Sequence, residues 1–250
     1  MKPLDITNPE TWPTEVTQLV RDAIEPLHGD EKALHDIYQK INNHDLTDNI
    51  VRMLTNETRE SLSRSLSFIA YHACRPLYIN SYRRKGLLVR SDERLRYLAK
   101  ECAGDIAGWN DACDAVLLDY KDPDLGGWYE NTVGLSFVPF KNYANKGSYF
   151  LSDFFKKLGD MGSLCREEVL KNTKPTVLVC ELPLNWVLGS QTEDDCLEDY
   201  VVELLHAIID QVCGKERGLS NPPSIHLCID LPPEKIIEIR VMDDSSNNSR

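Results

Sequence analysis

The side chains best placed to do chemistry stand close together in one stretch. The run Phe68-Ile69-Ala70-Tyr71-His72-Ala73-Cys74-Arg75 is apolar and aromatic until it ends in a histidine and an arginine. Polar residues at the end of a buried strand often wall a binding site. A histidine there can hydrogen-bond a ligand hydroxyl or carry a proton near neutral pH. It can equally be a core histidine satisfied by a backbone carbonyl. Arg75 is costly to bury alone, so it demands a carboxylate or an anionic ligand. A second basic group, Arg83, Arg84 and Lys85 with Arg90 beyond it, falls at the end of the next expected helix. Cations there complement the helix dipole without any ligand, and they could also meet an anionic group.

The elements that must hold these residues can be read from periodicity. Residues 14–60 carry helical spacing, with Val16, Leu19, Val20 and Ile24 on one face and Thr14 as N-cap. Residues 1–64 are therefore expected to form a helical lobe. The run beginning at Ser65 reads as a buried strand. Pro76 to Lys85 reads as a short helix stopped by Gly86, after which Leu87 leaves in an extended direction. Helical spacing returns over residues 92–120, Val133 to Phe140 alternates like a strand, and Ser148 to Leu158 reads as a helix ended by Gly159. Thr176 to Leu182 is an expected strand, Glu193 to Val212 an amphipathic helix, and Ile225 to Ile229 and Ile236 to Val241 two closing strands around Leu231-Pro232-Pro233-Glu234. Helices first, then mixed elements ending in strands close in sequence, give an α+β class with antiparallel or mixed pairing. The polar tail of residues 243–250 is expected to be disordered.

Composition narrows the function. The chain has 250 residues, is 42% hydrophobic and 27% charged, and carries a formal net charge of −12, which describes a globular protein whose surface repels nucleic-acid backbones. Nucleic acid is not an expected partner, though it is not excluded as an acceptor. The opening residues lack the basic and apolar regions of a secretory signal, and no window is apolar enough for a membrane span, so a cytoplasmic location away from membranes is expected. The eight cysteines form no CxxC pair, and several stand in apolar runs, which favours buried reduced thiols over disulfides or zinc. No metal is expected. Neither GxxxxGK[ST], a strand-linked GxGxxG, HExxH nor GxSxG occurs, so the mechanisms those motifs carry have no support. His28, His35 and His44 lie among polar neighbours and read as solvated.

The segment YHACRPLYINSYRRKGL resembles the opening of ADP-ribosyltransferase-like domains, the superfamily of diphtheria-type toxins and poly(ADP-ribose) polymerases, and in particular a bacterial group with YHA[TC]R near the domain start. GLSFVPFKNYANKGSYFLSDFFKKLG, KPTVLVCELPL and IDLPPEKIIEIRV resemble the later elements of that group in the same order. The resemblance covers residues 65–242 and implies a split β-sheet core with helices and an NAD site in a cleft between two small sheets. His72 would hydrogen-bond the adenosine ribose, Arg75 would contact the pyrophosphate, and Tyr149, beside Ser148, would stack on the nicotinamide. Nicotinamide leaves a ribose through an oxocarbenium-like state that an aromatic wall and a carboxylate stabilise. Where the bacterial group shows Gly-Ser-Glu, this chain has Gly147-Ser148-Tyr149. Glu181 and Glu238 are then the candidates for the transferase glutamate, and each also fits an ordinary solvent-facing strand carboxylate. The implied activity is transfer of ADP-ribose from NAD, in a toxin or defence effector, with the helical lobe docking a protein partner. The alternative is a catalytically inactive relative that binds a nucleotide or a protein.

Overall fold

Strand β1, Ser67–Cys74, forms where the apolar run SFIAYHAC needs cover on both faces, and all its residues except Ile69 and Ala73 are buried. The computed structural model describes residues 3–5, 8–12, 14, 17, 18, 21, 22, 32, 67–89, 91–103, 108–121, 135–138, 158–183, 186, 225–227 and 229–242. The expected helices over 14–60, 148–158 and 193–212 and the tail from Asp243 lie wholly or mostly outside these residues. The chain divides into two compact units, one of Met1–Ala70, Val138–Phe140 and Glu181–Ile225 and one of Tyr71–Phe137, Lys141–Cys180 and His226–Arg250.

In the first unit, Leu4 forms a parallel bridge with Phe68. Its N–H donates to the Ser67 carbonyl at 2.8 Å and its carbonyl accepts from Ile69 N–H at 2.7 Å. The chain start thus adds backbone pairing to β1. The indole N–H of Trp12 donates to the Asp5 carbonyl at 3.0 Å, which fixes the turn around the short 3-10 helix Pro9–Thr11.

Most of the described elements lie wholly or partly in the second unit. After β1 come α1 (Ile79–Lys85), α2 (Asp92–Ala103), α3 (Trp109–Lys121), β2 (Leu135–Phe137), α4 (Gly159–Asn172), β3 (Thr176–Pro183), β4 (Ile225–Leu227) and β5 (Ile236–Val241). Mixed helix and strand give the α+β class. Strand order is β1-β3-β5 in one sheet and β2-β4 in another. Pairing of β3 with β5 is antiparallel, with Val177 opposite Arg240, Leu178 opposite Ile239 and Val179 opposite Glu238. The register then shifts, so that Cys180 faces Ile236 and Ile237 is the extra residue of a bulge. As the middle strand, β3 is buried without alternation from Thr176 to Cys180, which its run TVLVC matches.

The two closing strands, though close in sequence, enter different sheets. Between them Leu231 exchanges two backbone hydrogen bonds, both 2.8 Å, with Leu87. Pro232 and Pro233 then supply no donors and lead into a 3-10 helix, Pro233–Lys235. Gly86 makes this approach possible. Its φ of +74° ends α1, its N–H bonds the Tyr82 carbonyl at 3.0 Å, and a Cβ there would collide with the Leu231 carbonyl oxygen. Helix α1 starts at Ile79 rather than Pro76. Gly108, at φ +78°, separates the 92–120 helical stretch into α2 and α3. Helix α4 begins at Gly159, which the sequence pattern marks as a helix end. Helix α2 packs against both α3 and α4, with Trp109, Cys113 and Cys165 buried.

Candidate functional site

His72 sits in the last part of β1, and its burial follows from the strand that carries it. Its Nδ1 lies 2.8 Å from the Ser136 main-chain oxygen in β2, and its ring stands 5.5 Å from that of Phe137 at an angle of 55°. A carbonyl can only accept, so Nδ1 carries a proton in this contact. The imidazole therefore joins the three-stranded sheet to the two-stranded one.

Arg75 follows directly after β1 and is 9% exposed. Its Nη1 donates to the Thr173 carbonyl at 3.0 Å. Thr173 is the first residue past α4, so the guanidinium meets the negative pole of that helix and one of its unsatisfied terminal carbonyls. This is a partner for the buried charge that is neither a carboxylate nor an external anion.

Glu238 lies in β5 and is held by Arg240, whose Nε and Nη2 donate to the two carboxylate oxygens at 2.6 and 2.5 Å. The spacing of two residues puts both on one strand face. Its hydrogen bonds to Glu238, then the Glu238 charge and more weakly Tyr71, hold the Arg240 guanidinium above its ordinary pKa against a lowering by desolvation. Tyr71 thus lies toward Arg240, and the alternation of β1 turns His72 the other way, toward β2. Glu238 and His72 are not brought together. Glu181 is half-buried near the end of β3, in the first unit. Ser148 and Tyr149 lie outside the described residues.

Cys74, Cys113, Cys165 and Cys180 are buried free thiols. Burial raises the Cys74 thiol to about 12, against a smaller opposing hydrogen bond from Tyr82, and the Cys165 thiol to about 11. It also pushes Cys180 and Cys113 up. Thiols so held are poor nucleophiles. Among the described residues no group of three His, Cys, Asp or Glu is placed to hold a metal ion, and no helix is long and apolar enough to cross a membrane.

A groove of about 380 Å³ opens elsewhere in the second unit, lined by Arg83, Pro233, Ile236, Ile237, Glu238 and Ile239. The sequence gives Arg83 as part of a basic run, but the wall it shares with β5 depends on the Gly86–Leu231 approach, which spacing along the chain does not reveal. Ser136 and Thr173, which meet His72 and Arg75, act through backbone carbonyls and carry no sequence signal. The Glu-x-Arg spacing in β5 does carry one, since it predicts a same-face ion pair.

No protein-family model, curated protein or solved structure matches the chain.

Proposed function

We propose that the chain is an NAD-consuming enzyme of ADP-ribosyltransferase type, which cleaves the nicotinamide–ribose bond and passes ADP-ribose to an acceptor. The observation that supports this reading is the junction of two small sheets at His72, a buried strand-end histidine whose Nδ1 meets the Ser136 carbonyl. In this reading Nε2 accepts from a hydroxyl of the adenosine ribose. Arg75 adds positive potential for the pyrophosphate, and Ser148 and Tyr149 receive the nicotinamide end. Glu181, on the middle strand, is the favoured carboxylate to stabilise the oxocarbenium-like state.

A second reading, an inactive relative that binds a nucleotide or a protein partner, is favoured by the ion pair that occupies Glu238. Two measurements separate them. In a thermal-shift titration, a ligand at about 100 times its Kd stabilises by roughly 2.7 kcal/mol, so NAD should raise the melting temperature. Incubation with NAD should also release free nicotinamide, and Glu181→Gln should stop the release without removing the shift. A shift without nicotinamide would establish the second reading. No shift at any NAD concentration would remove both nucleotide readings.

A further inference from the structure

We propose that the groove beside β5 is a docking site for an acidic, aliphatic peptide segment of a protein partner. The inference does not rest on the NAD reading: the groove shares with it only Glu238, the less favoured of the two candidate glutamates, and uses none of His72, Arg75, Ser148, Tyr149 or Glu181. Among its described lining residues, Pro233, Ile236, Ile237 and Ile239 are apolar. Ile237, the extra residue of the β5 bulge, is 52% exposed, and Val241 further along the same strand is 49% exposed. A bulge re-aims a side chain at a strand edge, and here it turns an isoleucine outward beside a groove. The volume is in the range that takes a small ligand or the anchor side chains of a short peptide.

Basic residues join them. Arg83 lines the groove, and Arg84 and Lys85 are exposed beside it in the last turn of α1. Helix α1 packs against the 3-10 helix Pro233–Lys235, so the basic run is held against the apolar wall. Among the described residues, no carboxylate pairs with Arg83, Arg84 or Lys85. The one acid among the described lining residues, Glu238, is engaged by Nε and Nη2 of Arg240. The segments walling the groove, Ile79–Lys85 and Pro233–Val241, hold Arg83, Arg84, Lys85, Lys235 and Arg240 against only Glu234 and Glu238. In a chain of net charge −12 this is a local reversal of sign. Such a patch steers an acidic partner, and the isoleucine wall rewards apolar side chains on the same segment.

The test uses the full-length chain and a fluorescein-labelled peptide of alternating leucine and glutamate. Fluorescence anisotropy should rise saturably and weaken with added salt, because the rim charges are exposed. Arg83→Glu combined with Arg84→Glu should weaken binding about tenfold or more, and Ile237→Ser about tenfold. Both changes are at exposed positions, and urea midpoints within error of the parent would confirm intact folds. Equal binding of a leucine–lysine peptide, or of a peptide carrying glutamate without leucine, would overturn the proposal. So would indifference to either substitution, or absence of saturable binding. Sedimentation that finds a dimer broken by the double arginine change would also overturn it, giving the groove to a second copy of the chain.

Discussion

The Nδ1 of His72 meets the main-chain oxygen of Ser136 at 2.8 Å, so one imidazole ties β1 to β2. Phe137 packs against the same ring. Removing the ring leaves a carbonyl without its donor and a void beside an aromatic side chain. His72→Ala should therefore cost about 2–4 kcal/mol in urea unfolding. His72→Asn places an amide donor near the Nδ1 position and should recover part of the loss. The two roles of the residue separate in the second measurement: a ribose contact through Nε2 requires that His72→Asn, although folded, lose NAD affinity. Equal stability of the alanine variant and the parent would show that the Ser136 contact contributes nothing.

Arg75 predicts a different pattern. Its hydrogen bond to the Thr173 carbonyl at the end of α4 is charged and buried. Such bonds contribute about 1.5–3 kcal/mol. Arg75→Met keeps much of the side-chain volume and should lose about that amount, whereas Arg75→Lys should keep part of it. Hydrogen exchange in the last turn of α4 should quicken in the methionine variant. Unchanged protection there would mean that the helix end does not depend on the guanidinium.

How far these features were legible differs by element. Strands β1, β3 and β5 coincide closely with the runs LSFIAYHAC, TVLVCEL and IIEIRV, because buried apolar strands announce themselves in composition. Helix α4 was hidden for a definite reason. Among the helix positions whose burial is described, the buried ones, Gly162 and Cys165, follow the buried Leu158 at helical spacing but are small residues, while Leu164 and Leu170 are exposed. The apolar stripe that periodicity looks for is therefore displaced from the packed face. The Ser136 and Thr173 carbonyls that meet His72 and Arg75 were hidden too, since backbone groups distant along the chain leave no mark in the pattern.

Burial of Cys74 predicts an alkaline signature. Its thiol is raised to about 12 in the folded chain from an ordinary value of 9.0, by desolvation first. Between these values the unfolded chain is deprotonated while the native one keeps its proton. Stability from this group is therefore complete below pH 9 and falls as pH rises toward 12, by roughly 1.4 kcal/mol per pH unit. Urea midpoints measured from pH 8 to 10.5 should fall, and the fall should be shallower in Cys74→Ala, where the other titrating groups remain. Parallel slopes in the two proteins would mean that the thiol ionises in the native state. Iodoacetamide at pH 8 should accordingly label Cys74 only once the chain is unfolded.

Gly86 carries the sharpest stability prediction, because three requirements meet there. Its φ of +74° with ψ of −162° lies where side chains are rarely tolerated. Its N–H closes the last turn of α1 on the Tyr82 carbonyl. The chain beyond it must pass close enough to Leu231 for Leu87 to exchange both backbone hydrogen bonds. Gly86→Ala would strain the backbone and drive a methyl group into the Leu231 carbonyl, and neither that carbonyl nor the neighbouring Pro232 backbone can swing aside as a side-chain tip could. Strain and overpacking together should cost roughly 2–5 kcal/mol. Gly108→Ala is the control, since it shares the positive φ but has nothing within 4 Å of the added methyl group, and it should cost only about 1–2 kcal/mol. If the two variants unfold at the same urea concentration, the close approach of α1 to the Leu231 turn is not what Gly86 provides.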